Sequence, residues 1–205
     1  MRQGSLGLRV LWLALFGVVV WAIAVATQSP WLAWRDSVYV LAGFAGVVGL
    51  SILTVQPLLA RGHVPSLSLQ VSRWVHRAVG GVLVTFVTVH VIGLWITSPP
   101  DVVDALLFRS PTPFSAWGVV AMWAVLAMPV LVVFRRRIGW RPQTWRLVHA
   151  GFGAVVVVGT VVHALLIEGT MGVVSKWTLC AAAMMVTAWC LAEVWVGPIR
   201  KRIQA

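Results

Sequence analysis

Six long apolar stretches divide this chain, and each is long enough to cross a membrane as a helix. They lie near residues 8–27, 37–60, 74–97, 115–134, 145–167 and 175–197. A helix needs about 20 predominantly apolar residues to cross the hydrocarbon core of a bilayer. The segments between the stretches carry prolines, glycines and charged residues, such as Ser98-Pro99-Pro100. The pattern predicts an all-α membrane protein, folded as a bundle of six transmembrane helices.

Composition agrees with this prediction and excludes a soluble protein. Of the 205 residues, 60% are hydrophobic and only 10% are charged, whereas soluble domains carry about 25% charged residues. The net charge of +11 does not indicate nucleic-acid binding, because the basic residues are spread over short loops and no soluble basic domain carries them. We therefore expect the lipid bilayer, and no nucleic acid, as a partner.

The distribution of Lys and Arg predicts the orientation of the bundle. Of the 16 basic residues, all but Arg35, Arg109 and Lys176 fall at the two termini or in the second and fourth loops. Cytoplasmic loops of membrane proteins carry the excess of positive charge. Both termini are therefore expected on the cytoplasmic side.

The first apolar stretch has a second interpretation. Arg2 and Arg9 precede it, and the small residues Ala22, Ala24 and Ala26 resemble a signal-peptide cleavage site. The apolar part of a signal peptide is about 7–15 residues long, which is shorter than this stretch. We therefore favour a retained first helix; cleavage would leave five spans in the same orientation.

Four of the five histidines form two pairs with equal spacing. His76 and His90 lie in the third stretch, and His149 and His163 lie in the fifth, with 14 positions between the members of each pair. Fourteen residues make four helical turns less about 40°, so both rings of a pair lie on nearly one face, about 21 Å apart. Because the two helices run in the same direction, the four residues form an inner pair, His76 with His149, and an outer pair, His90 with His163.

We interpret the two pairs as axial ligands of two b-type haems. Ionisable side chains inside a membrane are costly and usually functional. A b-type haem needs two neutral imidazoles and no covalent attachment, which agrees with the absence of C-x-x-C-H. Zinc or copper is disfavoured because histidines 21 Å apart share no ion and no Asp, Glu or Cys lies beside them. The fifth histidine, His63, lies in a short loop, where we expect it to be solvated and not a ligand.

Five further residues are candidates for contact with the cofactor. Gly80 and Gly153 each follow an inner histidine by four positions, on the same helix face, where a missing side chain would let a flat porphyrin approach the backbone. Arg73, Arg77 and Arg146 lie near the inner histidines, where they either hydrogen-bond haem propionates or only anchor the helices at the cytoplasmic interface. Beyond the histidine pairs and this coarse pattern, we find no internal repeat.

These residues resemble the ferric reductase-like transmembrane domain. That superfamily includes ferric reductases, the membrane core of NADPH oxidases, and the haem-binding subunit of the periplasmic methionine sulfoxide reductase system. The resemblance covers residues 1–205 as a single haem-binding domain. It rests on Arg73-Trp74-Val75-His76 through His90, and on Trp145-Arg146-Leu147-Val148-His149 through His163. It implies electron transfer from a reduced flavin at the inner haem, through the outer haem, to an acceptor on the extracytoplasmic face.

The sequence departs from the larger members of this superfamily, which carry a C-terminal FAD and NAD(P)H domain. No flavin or nucleotide domain is expected here, since Gly151-Phe152-Gly153 lies inside a membrane stretch and is not a nucleotide fingerprint. The expected donor is a separate flavoprotein reductase or free reduced flavin on the cytoplasmic side. The expected acceptor is an extracytoplasmic protein or a ferric chelate. We therefore expect the electron-transfer subunit of an oxidoreductase system, located in a bacterial inner membrane, and not a complete enzyme.

Two alternatives remain open at this point. A quinol-linked cytochrome b also uses four histidines, but it needs extra polar groups near one haem, which the sequence does not identify. A metal-ion or proton transporter would use intramembrane histidines together with paired interrupted helices. Only Pro129 lies deep in a predicted span, which disfavours the transporter.

Overall fold

The computed structural model describes residues 2–195, and this part of the chain is helical without strands. Seven α-helices follow one another: α1 (Arg2–Thr27), α2 (Ser37–Arg61), α3 (Leu69–Thr97), α4 (Pro99–Leu106), α5 (Pro113–Ile138), α6 (Pro142–Leu166) and α7 (Val173–Trp195). One short 3₁₀ turn, Pro30–Leu32, connects α1 to α2.

Six of these helices are long and apolar enough to cross a membrane, which confirms the six predicted spans. Their bounds differ by a few residues from the apolar stretches because local signals extend the helices. The Ser68 hydroxyl accepts a hydrogen bond from the Val71 amide and caps α3 before the apolar stretch begins. Prolines occupy the first turns of α5 and α6, where their fixed φ suits a helix start. The predicted end of the sixth span, at 196–197, lies outside the described residues.

The segment between the third and fourth spans is partly helical. Residues Pro99–Leu106 form the two-turn helix α4. Prolines at its start have a backbone angle already suited to a helix, and Asp101 in its first turn complements the helix dipole. An eight-residue helix is too short for a periodicity argument, which is why the sequence did not reveal it.

The spanning helices are arranged as two antiparallel hairpins with two supporting helices. Helix α2 packs along α3, and α5 packs along α6, while α7 contacts both α2 and α6 and α1 lies against α7. Small residues bring the hairpin partners close, since Gly93 lies against Ala42 and Gly159 lies against Ala121. By contrast, α3 and α6 make almost no close backbone contact with each other.

Apolar side chains fill the centre of the bundle and also cover much of its outside. Leu50, Leu83 and Leu179 belong to the buried core. Leu13 and Phe16 are mostly exposed on α1, and such apolar outer surfaces suit contact with lipid. The core therefore fixes the two hairpins against α7. The histidine-bearing helices α3 and α6 face each other across the remaining side of the bundle.

Candidate functional site

The structure brings the four histidines together as the two predicted pairs. The ring centres of His76 and His149 are 6.0 Å apart, with an angle of 77° between the ring planes. Those of His90 and His163 are 6.4 Å apart, at 83°. The backbones of α3 and α6 are held apart, and these imidazoles extend from both helices toward each other.

The spacing of the rings fits two imidazoles bound on opposite sides of one metal. A bond from a first-row metal to an imidazole nitrogen is about 2.0–2.1 Å, which places two opposed ring centres about 6.4 Å apart. Each pair offers only two imidazole side chains, and residues 2–195 contain no group of three His, Cys, Asp or Glu side chains that would hold an ion. The pairs therefore fit a metal whose other ligands belong to the cofactor itself, as in haem.

Main-chain carbonyls orient three of the four imidazoles. In each case Nδ1–H donates to a carbonyl of the preceding helix of the same hairpin: His76 to Gln56 (3.2 Å), His90 to Ala42 (2.7 Å) and His163 to Phe114 (2.9 Å). Because a carbonyl only accepts, this contact fixes the tautomer and leaves Nε2 free to act as the ligand atom. The sequence did not reveal these acceptors, since every residue has a carbonyl.

Two glycines that the sequence analysis missed lie against the outer histidines. A Cβ at Gly46 would lie 3.2 Å from Nδ1 of His90, and one at Gly118 would lie 2.6 Å from Nδ1 of His163. Each glycine follows the carbonyl acceptor on its helix by four residues, so both contacts lie on one helix face. The outer imidazoles therefore pack directly on backbone that carries no side chain. No local sequence signal marks them, since the triplet Gly-Val-Val at 46–48 and 118–120 also occurs at 17–19 and 172–174.

The two glycines chosen from the sequence have different surroundings. A Cβ at Gly153 would meet nothing within 4 Å, so the face of α6 beyond His149 is open, as expected. A Cβ at Gly80 would meet the Gln56 side chain at 3.5 Å, so this part of α3 is covered by α2. Contact of either glycine with a porphyrin stays a prediction.

The three arginines chosen from the sequence lie at one end of the bundle. Arg73, Arg77 and Arg146 are all exposed, and none forms an ion pair with a carboxylate of residues 2–195. Their role toward propionates stays a prediction.

Several positions of the first hairpin correspond to positions of the second at a fixed offset, which the sequence analysis missed. Residues of α2 recur in α5 after 72 positions, and residues of α3 recur in α6 after 73. The α2–α5 pairs are Ala42/Phe114, Gly46/Gly118 and Pro57/Pro129, and the α3–α6 pairs are Arg73/Arg146, His76/His149, Gly80/Gly153 and His90/His163. Pro57 lies inside α2, near its end, and Pro129 lies deeper inside α5; both helices continue past the proline without interruption. The prediction of no further repeat was wrong.

His149 is the exception within this correspondence. Its Nδ1 is buried and has no hydrogen-bond partner among the described residues, although Met128 is the counterpart of the Gln56 that anchors His76. Instead, the Trp145 ring stacks on the His149 ring, with centres 5.3 Å apart and planes at 29°. The Arg135 guanidinium lies 5.1 Å from the centre of the Trp145 ring.

A cavity of about 530 Å³ adjoins the outer pair and is lined mainly by apolar side chains, together with His90 and His163. This volume lies within the range of about 300–1,000 Å³ that is usual for cofactor and ligand sites. Lys176 also lines it and is only 9% exposed. Its ammonium donates to the carbonyls of Ile167 (2.6 Å) and Leu165 (3.4 Å) at the end of α6. An ammonium has three donors, and these two hydrogen bonds use two of them.

The prediction that His63 is solvated was wrong. Its side chain is half-buried, its Nε2 lies 3.0 Å from a carboxylate oxygen of Glu193, and its ring stacks on Trp189. Arg61 also pairs with Glu193, at 2.9 Å. The ring of His63 stacks on none of the other four histidine rings, and its exclusion from the ligand pairs stays a prediction.

A comparison with known families identifies the chain. A family model described as "Ferric reductase like transmembrane component" matches residues 45–160, more than half of the 205 residues. The match contains His76, His90 and His149 and ends three residues before His163. No curated protein and no solved structure matches the chain. Six apolar helices and this match together make the chain an integral, multi-pass membrane protein. It belongs to the family of ferric reductase like transmembrane components.

Proposed function

We propose that this protein carries electrons across the membrane through two b-type haems, one bound by His76 and His149 and the other by His90 and His163. Membership of its family indicates transmembrane electron transfer. The observation that carries the finer proposal is the pair of ring spacings, 6.0 and 6.4 Å, between helices whose backbones stay apart. Both values match the separation of two imidazoles on one metal.

In this function, the polypeptide orients the histidine ligands. Carbonyls of Gln56, Ala42 and Phe114 hold Nδ1–H of three imidazoles, which directs Nε2 toward the facing helix. Such a second partner fixes the ring and raises the basicity of the ligand nitrogen. Bound haem iron supplies one-electron chemistry by alternating between its ferric and ferrous forms.

The two ligand pairs extend over most of the membrane. They are 14 residues apart on each helix, about 21 Å along the axis, within a hydrocarbon core of about 30 Å. Two haems at these depths would form a continuous route from one membrane face to the other.

Charged residues at both ends support the binding of propionates. In the proposed arrangement, the third donor of the Lys176 ammonium binds an anionic group in the outer cavity. In the same arrangement, the exposed Arg73, Arg77 and Arg146 bind the propionates of the inner haem. The proposed donor is a reduced flavin, free or on a separate reductase, at the cytoplasmic face. The proposed acceptor is a protein or a ferric chelate at the opposite face.

Haem stoichiometry and a reduced-minus-oxidised spectrum test this proposal. Purified full-length protein, expressed with ample haem, is expected to show a b-type spectrum and about two haems per chain. His76→Ala or His149→Ala should remove one haem, and His90→Ala or His163→Ala should remove the other. The matched control is His63→Ala, which should keep both, because His63 pairs with Glu193 and not with another ring. Wild-type protein without haem would overturn the proposal, and a single haem would remove one pair from it.

A further inference from the structure

We propose that Trp145, held in place by Arg135, is the positioning residue for His149 at the inner site. This inference rests on the proposed function, because it concerns the orientation of a ligand. Trp145 stacks on His149, and Arg135 lies over Trp145. The proposed role of both residues is to orient the His149 imidazole, and it needs no contact with the cofactor.

His149 differs from the other three histidines in how its ring is held. His76, His90 and His163 each donate Nδ1–H to a carbonyl of the preceding helix. The Nδ1 of His149 is buried and has no such partner within residues 2–195. A ligand without this contact keeps rotational freedom about its side-chain bonds unless another group restricts it.

The stack supplies that restriction from the same helix. Trp145 precedes His149 by four residues, so both side chains lie on one face of α6. Their ring centres are 5.3 Å apart and their planes are inclined by 29°, a geometry in which rotation of the imidazole would separate the two rings. Trp145 is half-buried and therefore has fixed surroundings of its own.

Arg135 connects this stack to the other helix of the hairpin. It lies in the last turn of α5, and its guanidinium is 5.1 Å from the Trp145 ring centre, within the range of a cation–π contact. In the other three cases the preceding helix holds the histidine by a carbonyl. The His149 ring is instead connected to the preceding helix through Trp145 of α6, which contacts Arg135 of α5. The nearby positive charge should also favour the reduced form of a bound inner haem, because reduction removes one positive charge from the iron.

Four variants of the full chain test the inference: Trp145→Ala, Trp145→Phe, Arg135→Gln and Arg137→Gln. Arg137→Gln is a matched control, since Arg137 makes a similar contact with Phe134 at 5.6 Å in the same helical turn and touches no histidine ring. The readouts are the low-spin EPR signal of each ferric haem, which depends on the angle between the imidazole planes, the midpoint potential of each haem, and haem retention. Spectra of His76→Ala and His90→Ala assign the signals to the inner and outer haems.

Trp145→Ala is expected to change the inner signal and to weaken inner haem binding by about 10–100-fold, the usual effect of losing a partner behind a metal ligand. Arg135→Gln should change the inner signal less and lower the inner potential. Trp145→Phe should restore the wild-type signal, and Arg137→Gln should leave it unchanged.

The outcomes separate this inference from the proposed function. Wild-type protein without haem contradicts the proposed function. Wild-type protein with two haems, combined with an unchanged inner signal in both Trp145→Ala and Arg135→Gln, contradicts only the positioning role. Equal changes in both haems, or an effect of Arg137→Gln as large as that of Arg135→Gln, would also overturn it, since they indicate a general loss of structure. If Trp145→Ala does not fold, the positioning role is tested by Arg135→Gln and Trp145→Phe. An unchanged inner signal in Arg135→Gln then contradicts it.

Discussion

At the scale of single residues, the site depends on the backbone as much as on the histidines. The outer imidazoles lie between a carbonyl acceptor and a glycine one turn later, at Ala42 with Gly46 and at Phe114 with Gly118. A Cβ at Gly118 would clash with the His163 ring, and one at Gly46 would press on the His90 ring. The two glycines therefore determine whether His90 and His163 reach their acceptors.

Gly118→Ala is expected to disrupt the outer site more than Gly46→Ala. The added Cβ would lie 2.6 Å from the His163 ring in the first case and 3.2 Å from the His90 ring in the second. Overpacking of this kind costs roughly 1–3 kcal/mol. We expect Gly118→Ala to lose the outer haem and Gly46→Ala to retain it in part, measured as haem per chain.

Gly81→Ala is the control for this prediction, because a Cβ there meets nothing within 4 Å. It should keep both haems and the wild-type melting temperature. Full haem content in Gly118→Ala would show that His163 does not need this close approach to the backbone.

The sequence predicted the four histidines and their pairing, since equal spacing on two helices is visible without a structure. It did not predict Gly46 and Gly118, because among 18 glycines only contact with the imidazoles distinguishes them. The stack on His149 was also missed, since Trp145 fits the usual enrichment of tryptophan at membrane interfaces.

At the scale of helices, one polar cluster connects three elements at the same end of the bundle. Glu193 of α7 pairs with Arg61 of α2 and with His63 just beyond it. Trp12 of α1 donates to the His63 carbonyl at 2.7 Å. The cluster therefore connects α1 and α7 to the first hairpin.

Glu193→Gln should lower stability without changing the haem spectrum. The Arg61 and Glu193 side chains are 34% and 29% exposed, so solvent weakens the pair and we expect a loss of only about 1 kcal/mol. A lower melting temperature in detergent, with two haems retained, is the expected result. Asp104→Asn is the control, since Asp104 is exposed and its carboxylate pairs with no described residue. An unchanged melting temperature in Glu193→Gln would mean that the cluster does not hold α7.

The six spanning helices followed directly from their apolar lengths, whereas their arrangement did not. Helix α4 was missed because eight residues carry too little pattern. The hairpin pairings depend on contacts such as Gly93 with Ala42, which involve residues far apart in the chain. His63 was misjudged because its partner, Glu193, is 130 residues away.

At the scale of the whole molecule, two equivalent hairpins face each other through α3 and α6, and α7 supports both. The orientation of this assembly in the membrane is the remaining prediction from the sequence. It rests on the basic residues, of which only Arg35, Arg109 and Lys176 are assigned to the extracytoplasmic side.

Reporter fusions in cells test this orientation. A phosphatase that is active only outside the cytoplasm should be active when fused after residue 110, between α4 and α5, and inactive when fused after residue 139, between α5 and α6. A fluorescent protein that folds only in the cytoplasm should give the opposite pattern. Activity of the phosphatase at both positions, or at residue 139 alone, would contradict the predicted orientation and the proposed direction of electron flow.

The use of main-chain carbonyls as anchors has a consequence for how this protein tolerates sequence change. At Gln56 and Phe114, most substitutions leave the carbonyl where it is, so these positions can vary without loss of the anchor, whereas Ala42 must stay small because it packs against Gly93. One residue inserted between Gly46 and Gln56 would rotate the rest of α2 by about 100° and shift it by about 1.5 Å. The Gln56 carbonyl would then face away from His76. At the Gln56 and Phe114 anchors, changes of helix length should therefore be far more damaging than changes of residue type.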